Sequence, residues 1–394
     1  MSSGLTISAP QRRPPKKISP GAIVAVVLLL GVALGLLAAT SRMQSTNRDF
    51  VSYWAGARLL ATHGNPYDAH SVLILENSVG NAFQRPLVLR NTPCTIFLMA
   101  PLGWFNVYTA SMGWEAAMIG ASLLSIWLLQ PLIGARIPLV VFFFAPIVDC
   151  FLAGQSTILV LLGIALFIRL EKARPFWAGA ALLLTLLKPH LLLPFWAILL
   201  LEIVRRREWR IVWGGMGATA FASLIATVLD PHIWMQYVVS VRAEHIENQY
   251  FPNIASTLRV LAAPDSLWPQ VLPAIVGVAI AVWIWARRRE DWQWSREGAM
   301  IIAGSALVSP YSFLVDQVLF LPAVLFCYVR AGAAARLFFI VINFTAFYLM
   351  LKIPEMGSPV TLWVGPTLMI WCYAIYHFHK ADPAPDAPGR PALA

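Results

Sequence analysis

Apolar runs follow one another along almost the whole chain, separated by short polar breaks. The first extends from Gly21 to Ala39, close to the roughly twenty residues a helix needs to cross a bilayer core. Later runs fall at 92–105, 108–131, 137–148, 156–168, 176–187, 190–204, 211–229, 270–286, 298–308, 313–329, 334–351 and 360–378. No alternating strand–helix pattern interrupts them. The pattern predicts an all-α integral membrane protein with about 11–13 transmembrane or half-membrane helices.

Several runs are too short to cross upright, and the short ones come in pairs. The pair 137–148 and 156–168 meets at Asp149 to Gln155. The pair 176–187 and 190–204 meets at Lys188-Pro189-His190, and 298–308 with 313–329 at Ser309-Pro310-Tyr311-Ser312. Irregular backbone at membrane depth is tolerated only where it is buried in protein or lines a wet cavity. The three polar apices and the first long loop, 41–91, are therefore expected to surround one cavity.

That loop should begin with an amphipathic helix, Asn47 to Ala61, stopped by Gly64, Asn65 and Pro66, and continue with a short helix over Ala69 to Val79. Tyr53, Trp54 and Tyr67 fit an interfacial aromatic belt. Pro93 and Pro101 mark 92–105 as a broken piece, so that 92–131 makes one net crossing. The chain then divides into a basic, disordered segment 1–19, a single membrane domain 20–378 and a Pro/Ala-rich tail 379–394. A second large non-cytoplasmic loop spans 230–268.

Composition supports the membrane reading. The 394 residues are 59% hydrophobic and 12% charged, against about 25% charged in soluble domains. The net charge of +10 would suit nucleic acid, but its placement argues otherwise. Arg12-Arg13 with Lys16-Lys17, Arg136, Arg169 to Arg174, Arg205 to Arg210 and Arg287 to Arg289 sit in short clusters between apolar runs. That is the positive-inside pattern of cytoplasmic loops. It puts both termini in the cytoplasm and the three apices on the opposite side, and no nucleic-acid partner is expected. The first run is longer than a signal-peptide core, and Thr40-Ser41-Arg42 is a poor cleavage site, so it reads as an uncleaved span. Cys94, Cys150, Cys327 and Cys372 lie far apart and read as buried apolar residues, with no zinc-type spacing and no metal site. The chain carries no phosphate-loop, dinucleotide, serine-hydrolase or zinc-protease motif.

The candidate chemistry lies in a few polar residues. Asp49 and Tyr53 share a helix face with Gly56. Asp49 can take a proton from a hydroxyl at the membrane surface, or simply complement the helix N-terminus. Lys188 and His190 flank a helix-breaking proline inside an apolar stretch. Lys188 suits a phosphate as a point charge, or it snorkels to the interface. Gln155 is an apex donor and acceptor, or polar glue between helices. Asp316 is an intramembrane carboxylate, a functional candidate by default, and it can also pair with Lys188 or Arg259. Arg259, on a helix expected over 254–263 within the second loop, is a phosphate candidate or a snorkelling arginine, and Asn253 belongs to the same polar patch.

Taken in order, Asp49-Phe50, Tyr53-Trp54-Ala55-Gly56, Arg58-Leu59-Leu60 and Asn65-Pro66-Tyr67-Asp68 resemble the first-loop signature of glycosyltransferase family 87. Thr92-Pro93 with Leu98 to Leu102, Gly154-Gln155, Ala178-Gly179 leading to Lys188-Pro189-His190, Asn253 to Leu261, and Ser309 to Ser312 with Asp316 to Pro322 are similar to its later blocks. The resemblance runs over roughly 45–330. It implies a GT-C-type multi-pass helical bundle in a bacterial cytoplasmic membrane, with the active site facing the periplasm or exterior. It implies a polyprenyl-phosphate-linked hexose donor, mannose first, and transfer with inversion to a hydroxyl of a lipid or glycan acceptor. Asp49 would be the general base, and Lys188, Arg259 and His190 would steady the phosphate. No cofactor is implied beyond the lipid-linked donor. The chain departs from the family in His190, where the motif often reads Lys-Pro-Gln, and in Leu314-Val315-Asp316, where mannosyltransferase members carry histidine nearby. A multi-pass transporter or lipid flippase with a midplane polar site is the competing reading.

Overall fold

The computed structural model describes residues 48–80, 84–87, 89–130, 138–243, 249–352 and 358–378. The first apolar run, both terminal segments, Arg136 and Glu244 to Asn248 lie outside the described residues. Among the described residues every regular element is helical. The helices are α1 (Arg48–Ala61), α2 (Ala69–Ser78), α3 (Pro93–Ile96), α4 (Val107–Leu129), α5 (Ala145–Ala153), α6 (Thr157–Leu170), α7 (Pro175–Ala181) and α8 (Leu193–Arg206). They continue with α9 (Trp209–Leu229), α10 (Ile233–Ala243), α11 (Ile254–Ala262), α12 (Trp268–Arg288), α13 (Ala299–Val308), α14 (Leu321–Arg330), α15 (Ala333–Lys352) and α16 (Val364–Phe378). The protein is an all-α membrane protein.

Among the described residues five stretches are long and apolar enough to cross a membrane: Val107–Leu129, Trp209–Leu229, Trp268–Asp291, Ala333–Lys352 and Pro359–Phe378. They leave most of their surface uncovered, with Trp213, Phe221, Ile275, Leu337 and Phe344 facing outward. In a bilayer that is the favourable arrangement, because lipid tails replace a protein partner. The short paired helices do the opposite. α6, α13 and α14 are apolar almost all round and are largely buried, as such helices must be. The 92–105 stretch forms two short turns, α3 and a 3-10 turn over Ala100–Trp104, and only Val107–Leu129 beyond them is long enough to span.

At the Arg205 to Arg210 cluster the packing is ion-paired. Glu202, 3% exposed, accepts from Arg205 Nε at 2.9 Å and from the indole of Trp285 at 2.7 Å, and pairs with Arg206 at 2.5 Å. This ties α8 to α12 at the end of α8 away from its apex.

The first-loop helix α1 forms over nearly the span its sequence predicts, and protein covers it. It is buried from Asp49 through Ala57, and Arg58 is exposed. It lies on the Ala100–Trp104 turn, where the indole of Trp54 donates to the Phe105 carbonyl at 3.0 Å and Arg58 Nη1 to the Gly103 carbonyl at 2.9 Å. Tyr53, Trp54 and Tyr67 are buried at 6%, 6% and 3% exposure, so they pack inward and form no aromatic belt. At its end His63 takes the left-handed conformation with φ 59°. The Gly64 amide then reaches back to the Leu59 carbonyl at 2.8 Å, closing a Schellman-type cap. Asp68 caps α2 by accepting from the Ser71 amide at 2.8 Å, and these bonds from Ser71 hold its carboxyl below the usual range.

Candidate active site

A cavity of about 280 Å³ opens where the three helix breaks meet α1. Asp49, Ser52 and Tyr53 line it from α1, Gln155 from the first apex, Lys188 and His190 from the second, and Tyr311, Phe313 and Asp316 from the third. The paired short runs thus deliver their polar apices to one place, as the sequence pattern predicts.

Each apex is shaped locally. Gly154 ends α5 with φ 70°, and the Gln155 amide returns to the Cys150 carbonyl at 2.8 Å. This left-handed turn swings Gln155 and Ser156 back toward α1. A Cβ added at Gly154 would lie 2.6 Å from the Phe50 Cβ and 3.2 Å from the Phe50 amide nitrogen. Both conformation and space therefore require glycine here. Gly154→Ala is expected to destabilise the fold by about 1–3 kcal/mol and to displace Gln155 from Tyr53. A thermal-unfolding series in detergent checks it, and an unchanged midpoint would contradict it.

Tyr53 links α1 to that apex. Its hydroxyl donates to Gln155 Oε1 at 3.2 Å and lies 3.2 Å from Ser156 Oγ. Burial pushes its phenol to about 12, so it stays protonated and can serve as a donor. Trp114 packs against its ring with centroids 5.5 Å apart and donates to the Gly154 carbonyl at 2.9 Å.

At the second apex Lys188 and Pro189 interrupt the helix, with 3-10 turns over Leu182–Leu187 and Pro189–Leu192 on either side. Lys188 Nζ donates to Asp316 Oδ1 at 2.6 Å. Of the two partners open to Asp316 in the sequence, the structure selects Lys188. His190 stacks on Tyr311 with centroids 3.7 Å apart, and its Nε2 meets no hydrogen-bond partner among the described residues. The Ser309 hydroxyl donates to the Tyr311 carbonyl at 2.9 Å and lies 3.3 Å from the His190 carbonyl, which joins apices two and three.

Two predicted residues lie elsewhere. Arg259 does not line the cavity. It is 3% exposed and donates to Gln270 Oε1 at 2.7 Å, the Pro264 carbonyl at 2.9 Å and the Gln249 carbonyl at 2.5 Å, so it organises the second loop. Asn253 caps α11, accepting from the Ser256 amide at 2.7 Å, and reaches the Ser312 carbonyl at 3.4 Å. The arginine that does line the cavity is Arg90, whose Nη2 donates to Gln249 Oε1 at 2.8 Å. Asn91, Thr92 and Tyr237 join it there. Sequence reasoning missed Arg90 and Asn91 as site residues, although the polar triplet Arg90-Asn91-Thr92 before Pro93 was a usable signal. Tyr237 had none, because only the folding back of α10 brings it to Tyr67, 5.4 Å between ring centroids.

The Asn65-Pro66-Tyr67-Asp68 block builds the wall. Asn65 Oδ1 accepts from the Tyr67 amide at 2.9 Å, and the Tyr67 hydroxyl donates to the Asn91 carbonyl at 2.9 Å. Asn91 in turn donates to the Leu187 carbonyl at 3.3 Å, next to Lys188. Among the described residues no three or more His, Cys, Asp or Glu side chains converge in a metal-binding group.

The cavity thus brings a buried carboxylate, Asp49, and the cationic side chains of Lys188 and Arg90 into one lining. A model of glycosyltransferase family 87 matches residues 90–310, more than half of the chain. The chain belongs to glycosyltransferase family 87. It is therefore a membrane glycosyltransferase, and membership takes the place of the transporter reading. No curated protein and no solved structure matches it. The family match covers the first two apices and reaches Ser309-Pro310 at the start of the third, while Asp49 and Tyr53 precede it and Tyr311, Phe313 and Asp316 follow it.

Proposed function

We propose that this family 87 enzyme moves a hexose, mannose first, from a polyprenyl-phosphate donor to a hydroxyl of a lipid or glycan acceptor. The observation that carries the reading is Asp49 sharing one cavity with Lys188 and His190. The acceptor oxygen attacks the anomeric carbon from the face opposite the phosphate. A carbon–oxygen bond forms there, the anomeric carbon–phosphate oxygen bond breaks, and polyprenyl phosphate leaves with the bonding pair. Configuration inverts. Asp49 accepts the hydroxyl proton, for which it must sit within hydrogen-bond reach of the acceptor. Lys188 and His190 stabilise the phosphate as its charge develops, with Arg90 at the same wall. The basic clusters support a cavity facing the non-cytoplasmic side of a bacterial cytoplasmic membrane.

The test uses the purified full chain in liposomes with radiolabelled polyprenyl-phospho-mannose, polyprenyl-phospho-glucose and a lipid extract as acceptor. Labelled lipid or glycan should form in step with free polyprenyl phosphate. Transfer from a nucleotide sugar alone, with none from either lipid-linked donor, would overturn the reading.

A further inference from the structure

Asp316 lines the cavity and invites a direct role on substrate, yet its oxygens are committed to the protein. Oδ1 accepts from Lys188 Nζ at 2.6 Å and from Thr157 Oγ1 at 2.8 Å. Oδ2 accepts from the Phe313 amide at 2.9 Å. The side chain is 2% exposed against 15% for Lys188. These three donors belong to the three different helix breaks: Thr157 opens α6 just after Gln155-Ser156, Lys188 is the second apex, and Phe313 starts the 3-10 turn Leu314–Phe320 after the third.

One carboxylate therefore ties all three apices. An ammonium has three donors, and Asp316 takes one of Lys188's, leaving the lysine anchored at a fixed point of the cavity wall. An unanchored lysine on a four-carbon stem loses rotamer freedom when it engages a ligand, which weakens binding. A lysine without a counter-charge at membrane depth also tends to shed its proton or snorkel away. Resting on the proposed function, we infer that Asp316 is a positioning residue that holds Lys188 charged and aimed at the donor phosphate, and that Thr157 fixes the Asp316 carboxylate in turn. Neither contributes by touching the sugar or the acceptor.

Thr157 gives the sharpest test, because it is fully buried and does not line the cavity. Donor KM and kcat are measured for Thr157→Val, Thr157→Ser, Asp316→Asn, Lys188→Met and Asp316→Asn/Lys188→Met. Binding of a short-chain isoprenyl phosphate, the product head group, is measured alongside by calorimetry. Asp316→Asn should raise donor KM and weaken isoprenyl phosphate at least about tenfold. Thr157→Val should move both the same way by about threefold, and Thr157→Ser, which keeps the hydroxyl, should match wild type. The double variant should be no worse than Lys188→Met alone, because partners in one interaction are not additive.

Multiplied losses in the double variant would overturn the inference and give Asp316 a role of its own on substrate. An unchanged KM in Thr157→Val and Asp316→Asn would also overturn it while leaving the transfer reaction in place. An unchanged KM in Lys188→Met would remove Lys188 from the site and the inference with it, with Asp49's assignment untouched. If Asp316→Asn does not fold, the Thr157 pair decides, since Thr157→Val removes one hydrogen bond and no charge.

Discussion

Asp49→Asn is expected to lower kcat by about 10²–10⁴-fold, the range for loss of a positioned general base, while donor KM stays within about threefold. The substitution is isosteric and keeps the polar shape of the α1 start, so the neighbouring contacts persist. Ser52 Oγ donates to the Asp49 backbone carbonyl at 2.8 Å, a bond the side chain does not enter. Tyr53 still reaches Gln155 and Ser156. What disappears is the capacity to accept the hydroxyl proton. An amide cannot do so at working pH, and the attacking oxygen would then have to lose its proton without a positioned acceptor. The measurement is single-turnover transfer from lipid-linked donor by purified variant and wild type, with thermal unfolding as the folding control. A variant that folds, binds donor and transfers at the wild-type rate would remove Asp49 as the base. Isoprenyl phosphate binding should be nearly unaffected, which separates this defect from the one at Lys188.

Much of this architecture could be read in the chain, because a bilayer imposes few solutions on backbone polarity. The apolar runs at 108–131, 211–229, 270–286, 334–351 and 360–378 coincide with the five stretches long enough to span. The short pairs coincide with helices that break at Gly154, Lys188-Pro189 and Ser309-Pro310. Proline and left-handed glycine are local signals, so the breaks were legible. The convergence of Gln155, Lys188, His190 and Asp316 followed from the requirement that irregular backbone at depth be enclosed.

The failures share one physical cause. Amphipathicity at one helix cannot say what covers it, and Tyr53, Trp54 and Tyr67 look alike at a lipid interface and in a protein core. Here the 92–105 turns cover α1, through Trp54 to Phe105 and Arg58 to Gly103. Arg259 and Arg90 are equally basic in sequence, and only tertiary packing sends one to Gln270 and the other to the cavity. The chain left Asp316 between Lys188 and Arg259, and the fold decides for Lys188.

Gly214→Leu is expected to prevent recovery of folded protein, while Gly217→Leu three residues along α9 is tolerated. α7 and α9 cross with their backbones in contact. A Cβ at Gly214 would overlap the Phe176 carbonyl oxygen and lie 3.0 Å from the Ala180 amide nitrogen, and one at Gly179 would overlap the Ile211 carbonyl oxygen. Small residues at a membrane helix crossing allow this approach, and the obstacles are backbone atoms of packed helices, which cannot rotate aside as a side chain would. Ordinary overpacking costs about 1–3 kcal/mol. Separating two helices by a whole side chain should exceed that and be comparable to the stability of the domain. The consequence reaches the site, because α7 runs through Leu182–Leu187 directly into Lys188, so the α7–α9 crossing sets where that apex stands. Nothing lies within 4 Å of a Cβ at Gly217, so leucine there projects into lipid. Fluorescence-detected size exclusion of both variants decides the matter. A monodisperse Gly214→Leu peak at wild-type yield would show that the two helices are not in backbone contact.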